Sequence, residues 1–311
     1  MARFTLDQLD TLRTIVDEGT FEAAAQRLHM TQSAVSQRIK LLETAAGAVL
    51  LRRTSPVATT PAGDVVLRLA RQIDLLSADV ASELGGAGTD HGPSTLPIAV
   101  NADSSATWFL DALADVAASH PVVFDLRRAD QEHTSALLRS GDVLAAVTAT
   151  RAPVQGCTVE PLGVMRYRAV ASPAFVERGF GGRVDLDLVD RVPMVVFDRT
   201  DTLQHDFVRR VTGRDARSPR HHVPASADFA RATVLGLGWS MLPEEQARPE
   251  IEAGRLIELA PDSPVDVTLF WQRWTLGSPL LDAVTEAVLQ TAGRRLHPMS
   301  GGPRPAGRSG A

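Results

Sequence analysis

Between Leu6 and Thr44 three short helical patterns follow one another with a turn signal at each junction, and the third has two faces of opposite chemistry. Leu9, Leu12, Ile15 and Val16 recur at helical spacing, and Gly19 supplies the left-handed tolerance that a helix end needs. Thr20 caps a second helix whose Phe21, Ala24, Ala25 and Leu28 share one side, the alanines leaving room for another helix to approach. Thr31 opens the third. Its Val35, Ile39 and Leu42 fall at i, i+4, i+7 and are expected to be buried, whereas Ser33, Ser36, Gln37 and Lys40 fall on the opposite face. A support helix, a short turn and such a third helix make a helix-turn-helix, whose recognition helix enters the major groove N-terminus first. Gln32, Ser33, Ser36 and Gln37 are then nearest the bases, and Thr31, Arg38 and Lys40 complete the DNA-binding set on this helix. Glutamine reads adenine through N6 and N7, while serine hydroxyls and lysine more often hold phosphate. A polar helix face by itself is more commonly just solvated, and it is the tandem of three helices, with a wing and paired arginines downstream, that favours DNA.

The wing is read from Val49 to Arg53, then Ser55-Pro56 and Thr59-Thr60-Pro61, a short β-hairpin pattern with Arg52 and Arg53 at its tip, placed to reach a minor groove or its phosphates. Residues 1–60 are therefore expected to form a winged helix-turn-helix and 61–84 a linker helix. In that helix Val66, Leu69, Ile73, Leu76 and Val80 repeat in steps of 3, 4, 3 and 4, the seam of a coiled coil. Two copies pairing along it would present two recognition helices to the half-sites of a palindromic operator on double-stranded DNA. The alternative is a helix packed on its own domain.

A net charge of -5 over 311 residues excludes a chain that coats nucleic acid by bulk electrostatics, so DNA binding must be local. The single cysteine, Cys157, excludes an intramolecular disulfide framework and a thiolate-rich metal site. No apolar run approaches the about 18 residues that cross a bilayer, and the N-terminus carries no signal-type apolar segment. The expectation is a soluble, cytoplasmic, nucleoid-associated protein with no membrane partner.

The Gly/Ser/Pro-containing stretch 85–95 reads as a flexible hinge. From 96 to 296 short apolar runs alternate with amphipathic stretches: strands at 96–100, 122–126 and 144–147 with helices at 108–118 and 135–138 predict β-α-β-α-β with a parallel sheet. A second series of the same kind comes next, with strands at 165–171, 194–197, 239–242 and 267–271 and helices about 207–211, 229–237 and 280–296. Two α/β lobes are expected, the second spanning about 168–268, and then a disordered tail over 297–311. In such domains ligands sit outside the carboxyl ends of the strands. Asn101 to Ser105, Thr148 to Thr150, Phe197-Asp198-Arg199 and Ser226-Ala227-Asp228 stand at those places. They offer donors for a carboxylate, including the free N-H groups of a helix start, and they offer Asp103, Asp198 and Asp228 for a cation, a combination that suits a cationic amino acid. An ordinary helix cap is the commoner role for Ser104, Ser226 and Asp228, and Trp108 is equally read as lobe core. Enzyme classes fare poorly: the eight histidines show no HExxH or HxH spacing, and GxSxG, a Walker loop and a strand-linked GxGxxG are absent. Cys157 has no histidine near it in sequence, as a structural thiol would not. No catalytic residue, metal ligand or cofactor is expected.

The segment FEAAAQRLHMTQSAVSQRIKLLETAAGAVLLRR resembles the winged helix-turn-helix of LysR-type transcriptional regulators. The likeness is carried by Phe21, Ala23 to Ala25, Leu28, Gln32-Ser33, Val35-Ser36, Ile39, Leu42-Glu43, Gly47 and Leu51, then Thr60-Pro61-Ala62-Gly63, and it departs at Gln37, where many members carry arginine. Further on, IAVNADSSATWFLDALADV, PVVFDLRR and MVVFDRTDT are similar to the ArgP/LysG branch of that family. The resemblance covers the chain apart from its tail. It implies an α/β fold with an N-terminal α region, in which a winged helix-turn-helix domain plus linker helix precedes a two-lobed α/β effector-binding domain of periplasmic-binding-protein type. It further implies lysine or arginine as effector and control of a basic amino acid exporter gene. A homodimer formed through the linker helix is implied, with a dimer of dimers and RNA polymerase as further partners. Asp103, Ser104, Ser105, Trp108, Thr148, Asp198 and Asp228 are the pocket candidates on that likeness. An architectural DNA-binding protein or replication-initiation inhibitor with no amino acid effector stands as the alternative. A solute-receptor module shares the two lobes but not residues 1–84.

Overall fold

Each of the three N-terminal helices begins where a threonine hydroxyl accepts from the helix's own free N-H groups. The computed structural model describes residues 4–83, 94–128 and 131–299. Thr5 caps α1 (Leu6–Glu18) through Gln8 N-H, Thr20 caps α2 (Phe21–Arg27) through Ala23 N-H, and Thr31 caps α3 (Gln32–Ala46) through Ala34 N-H. Gly19 and Gly47 end α1 and α3 at φ of 74° and 67°, where a side chain would be strained. The inward faces meet in one core, with Leu9, Leu12, Ile15, Ala24, Val35, Ile39 and Leu42 all buried, each large aliphatic side chain contributing roughly 1.5–3 kcal/mol.

Two short strands, β1 (Leu51–Arg52) and β2 (Ala58–Thr59), pair antiparallel as the wing before α4 (Pro61–Glu83). The wing is tied to α3 by Glu43, whose carboxylate accepts from Leu50 N-H at 2.8 Å and Leu51 N-H at 3.4 Å. Gly63 presses on the same place: a Cβ there would stand 2.0 Å from the Leu50 carbonyl oxygen. This contact is the physical content of the Thr60-Pro61-Ala62-Gly63 motif.

The remaining elements are β3 (Ser94–Val100), α5 (Ala102–Thr107), α6 (Phe109–Ala117), β4 (Val122–Arg128), α7 (Gln131–Ser140), β5 (Ala145–Thr148), β6 (Cys157–Ala171), α8 (Pro173–Phe180), β7 (Met194–Val196), α9 (Leu203–Thr212), β8 (Arg220–His222), α10 (Ser226–Val234), β9 (Ser240–Pro243), α11 (Glu244–Glu252), β10 (Ile257–Glu258), β11 (Val265–Trp274) and α12 (Pro279–Arg295). They fall into two compact units. The first holds the helix-turn-helix, α4 and residues up to Val100, with Asp115–Val159 and Trp271–Glu286. Its sheet is parallel around β3, with Leu96 opposite Phe124 of β4 and Ile98 opposite Ala145 of β5. The second unit holds Asn101–Ala114, Glu160–Phe270 and the residues from Ala287 on. There β6 pairs antiparallel with β9 (Ala169 opposite Met241) and β10 (Ala171 opposite Ile257), while β7 and β8 are parallel. Val170, Val195, Phe229 and Leu242 pack between these strands and α10.

The second series of strands is thus not a repeat of the first, because β6 runs against β9 and β10. The helix expected from 108 begins at Ala102 and breaks at Trp108. Ser94 and Thr95, assigned to the hinge by composition, already belong to β3, and residues 85–93 of that hinge lie outside the described residues. At the other end His297, expected in the tail, exchanges backbone hydrogen bonds with Val164 at 2.8 and 3.0 Å; residues 300–311 lie outside the described residues. The α4 seam divides as well. Val66 is buried in its own domain's core and Ile73 packs on it, whereas Leu69, Leu76 and Val80 are exposed, together with Val65. The same turns of α4 therefore serve the cis core on one side and leave an apolar stripe on the other.

Candidate nucleic-acid interface and effector site

With its apolar side committed to the core, α3 turns Gln32, Ser33, Gln37 and Lys40 to solvent, beside exposed Thr31 at its cap. Ser36 is half-buried. The Thr31 and Ser33 hydroxyls lie 3.0 Å apart and share a hydrogen bond at the helix start. Arg52 and Arg53 stand exposed at the end of β1. Among the described residues, nothing in this domain uses up the hydrogen-bonding ends of Gln37 or Lys40, which leaves a polar ridge of moderate side-chain length, the kind that reaches base edges and phosphates. Arg38 differs from the rest of the set. It is half-buried, its guanidinium reaching back to the Thr11 hydroxyl at 3.3 Å and to Asp7 at 3.8 Å on α1, so it braces α3 against α1. The period-3.6 pattern places Arg38 between the two faces and could not say which way it turns.

The second unit gathers a polar cluster around Asp103 of α5. Its carboxylate accepts from the Tyr167 hydroxyl of β6 at 2.9 Å and from the Ser226 hydroxyl of α10 at 2.8 Å. A serine hydroxyl has one hydrogen to give, and Ser226 spends it on Asp103. Gln246 of α11 must then turn its amide N-H toward the Ser226 oxygen, at 3.1 Å. Burial pushes the Asp103 carboxyl above the ordinary aspartate range, against the two hydroxyl donors that favour its charge; the nearby Asp201 carboxylate adds to the rise. The Tyr167 hydroxyl, buried beside Asp103, is held well above its usual value and remains protonated. A desolvated carboxylate with a second carboxylate near it gains more from a cation than a solvated one does.

The other expected pocket residues stand in different local settings. Ser104 is fully buried, and among the described residues its hydroxyl has no partner; the Asn101 side-chain oxygen is likewise buried and unpaired. Ser105 is half-buried. Trp108 is fully buried and edge-on to Phe109, with ring centroids 5.5 Å apart, as lobe core would be, yet its indole N-H also lacks a partner among the described residues. Asp198 closes a turn, accepting from Thr200 N-H at 2.7 Å, the Thr200 hydroxyl at 2.6 Å and Asp201 N-H at 3.0 Å. Asp228 is exposed in the first turn of α10. Thr148 belongs to the other unit, buried, its hydroxyl accepting from Thr150 N-H at 3.1 Å. Sequence reasoning missed Tyr167, Asp201 and Gln246. Asp201 lies in the run MVVFDRTDT, but there the sequence does not tell which carboxylate the turn consumes. Cys157 is half-buried, and burial pushes its thiol up to about 12, as befits a structural residue.

Residues 6–64 match the family described as "Bacterial regulatory helix-turn-helix protein, lysR family", and residues 90–293 match "LysR substrate binding domain". Among relatives, the chain is 40% identical to the HTH-type transcriptional regulator ArgP of Pseudomonas fluorescens over 95% of this chain and 98% of that protein. It is 42% identical to the lysine export transcriptional regulatory protein LysG of Corynebacterium glutamicum over 94% of this chain and 99% of that one. The crystal structure of ArgP from Mycobacterium tuberculosis superposes with a TM-score of 0.85 at 40% identity, covering 96% of this chain and all (100%) of that one. Full-length LysG from Corynebacterium glutamicum with bound effector Arg does so at 0.78 and 41%, covering 95% and 100%. The chain belongs to the LysR family.

Proposed function

We propose that this LysR-family chain is a sequence-specific DNA-binding transcriptional regulator whose effector is arginine or lysine and whose target is a basic amino acid exporter gene. The observation that carries the effector reading is the desolvated Asp103 carboxylate, held by Tyr167 and Ser226 with Asp201 nearby. A ligand with a cationic side chain offsets the burial cost of that charge; an acidic one would add to it. The unpaired Ser104 hydroxyl and Asn101 oxygen beside it supply a donor and an acceptor for the rest of an amino acid. The bound arginine of the LysG structure supports the same ligand class.

DNA is read by Thr31, Gln32, Ser33, Ser36, Gln37 and Lys40, with Arg52 and Arg53 on adjacent phosphate or minor groove. The exposed stripe Val65, Leu69, Leu76 and Val80 on α4 pairs with a second copy, which brings two α3 helices to one palindrome. Dimers assemble further into a dimer of dimers, RNA polymerase is the partner at the promoter, and the chain acts in the cytoplasm, on the nucleoid, without catalysis. No helix among the described residues is long and apolar enough to cross a membrane.

Calorimetric titration of the full chain with arginine, lysine, histidine and glutamate at one salt concentration tests the reading. Saturable heat with the basic amino acids, none with glutamate, and loss of the signal in Asp103→Asn are expected. Binding of glutamate, or arginine affinity unchanged in Asp103→Asn, overturns the assignment of the cluster. Silence toward all four leaves an architectural DNA-binding role.

A further inference from the structure

Two arginines of α4, one turn apart, grip the same turn of the first lobe. Arg68 donates to the Arg139 carbonyl at 3.0 Å and lays its guanidinium 4.7 Å from the centroid of the Trp274 ring. The lobe comes close enough that Gly141, at φ +75°, has no room for a side chain: a Cβ would stand 2.8 Å from the Arg68 Cα. Arg71, on the same face, reaches two ways. One terminal nitrogen donates to Asp142, next in that turn, and the other to Asp17 of α1 at 2.9 Å. Its side chain is only 11% exposed although both partners are charged.

Both carboxylates are themselves held. Asp142 accepts from the Ser140 hydroxyl at 2.5 Å and lies 3.7 Å from Arg127 of β4. Asp17 lies 3.6 Å from Arg13, which pairs with Asp10 and with Asp74 of α4 at 2.6 Å each. Arg13, Asp17, Arg71, Asp74, Arg127 and Asp142 line a cavity of about 560 Å³ between α1, α4 and the strands of the lobe. Leu75 of α4 and Pro97 and Leu144 of the lobe share that lining, and the ion pairs of Arg71 bridge it. An arginine suits the task because the two terminal nitrogens of its rigid planar fork reach two carboxylates over a wider span than the single ammonium of a lysine.

We infer that Arg71 is a strap between the DNA-reading domain and the first effector lobe, so that a shift of the turn 139–142 is passed directly to α1. This rests on the proposed regulator function and adds to it a route within one chain. Movement of the lobe either carries Asp142 with Arg71, tilting α1 and the helices packed on it, or breaks the pair and frees the reader to adopt another angle. Both consequences require Arg71 to be the member that fixes the angle.

The test uses the full chain with nitroxides at Glu22→Cys on α2 and Ala136→Cys on α7, both outside the strap and its cavity. Cys157→Ser in every sample leaves the two introduced thiols as the labelling sites, and an excess of unlabelled protein confines the measured distances to one chain. The expected wild-type distance distribution is single and narrow. Arg71→Gln and Asp142→Asn are each expected to widen it at least twofold, Arg71→Lys to give an intermediate width, and the exchange Arg71→Asp with Asp142→Arg to narrow it again. A wild-type width in both Arg71→Gln and Asp142→Asn overturns the strap. Adding arginine is expected to shift the wild-type distance and to leave Arg71→Gln unshifted while its calorimetric arginine affinity stays within twofold. An arginine-bound wild type with an unshifted distance overturns the relay. If calorimetry finds no arginine binding to the wild type, the effector reading fails by itself and the widths still decide the strap.

Discussion

The recognition face of α3 and the cluster around Asp103 are both polar sites, yet they are built on opposite principles. On α3 the polar ends point to solvent and the helix needs nothing from them, since Val35, Ile39 and Leu42 secure it from behind. At Asp103 the polar ends are withdrawn from water and each depends on its neighbours, Tyr167 and Ser226 on the carboxylate and Gln246 on Ser226. A solvated site tolerates substitution structurally and loses only its partner. A withdrawn site couples ligand affinity, protonation and packing.

The largest expected effect that sharpens this contrast is Asp103→Asn. Removing a buried charge that pairs with a cation should cost arginine binding about 2–5 kcal/mol while leaving DNA affinity in the absence of effector within twofold. The same residue sets a pH dependence. Because burial raises its pKa, lowering the pH protonates Asp103 before an ordinary carboxylate, so arginine affinity measured by calorimetry should begin to fall above the usual aspartate range. Asp103→Asn should lack that limb.

On the reader, Gly63→Ala should destabilise the domain by about 1–3 kcal/mol in denaturant unfolding, because the new methyl meets the Leu50 carbonyl and the wing must move. Gln37→Ala should leave stability alone and cost about 1–3 kcal/mol per lost base contact, relaxing preference at that base in a binding-site selection. Arg52→Ala should weaken all sequences alike and flatten the salt dependence by about one unit of slope. The smallest effect belongs to Arg38→Ala, about 0.2–1 kcal/mol of stability and no change of base preference, since its guanidinium is turned to Thr11 and Asp7. A change of base preference there would return Arg38 to the DNA-reading set and blur the contrast.

The reader was legible because its signals are local. A threonine cap, a 3.6-residue period and a glycine stop lie within one turn of what they determine, and Gly19, Thr31, Val35, Ile39 and Leu42 stand where those signals put them. Even so, Val66 and Ile73 entered the cis core while Leu69, Leu76 and Val80 did not, since one heptad repeat looks the same whichever neighbour covers it. Asp103 and Ser226 were found from their places at the ends of elements; Tyr167 and Gln246 were not.

The sequence by itself determined the helix-turn-helix, the wing, the linker helix, the alternation of strands and helices in the first lobe and the family likeness, because each rests on side chains a few positions apart or on long collinear similarity. Tertiary structure alone decided that Tyr167 and Ser226, 64 and 123 positions away, close on Asp103, and that Arg71 joins α1 to the turn at Asp142. Periodicity carries the direction of a side chain relative to its own element. Which distant element stands opposite is fixed only when the elements pack, and there the hydrogen-bonding capacity of each buried group selects its partner.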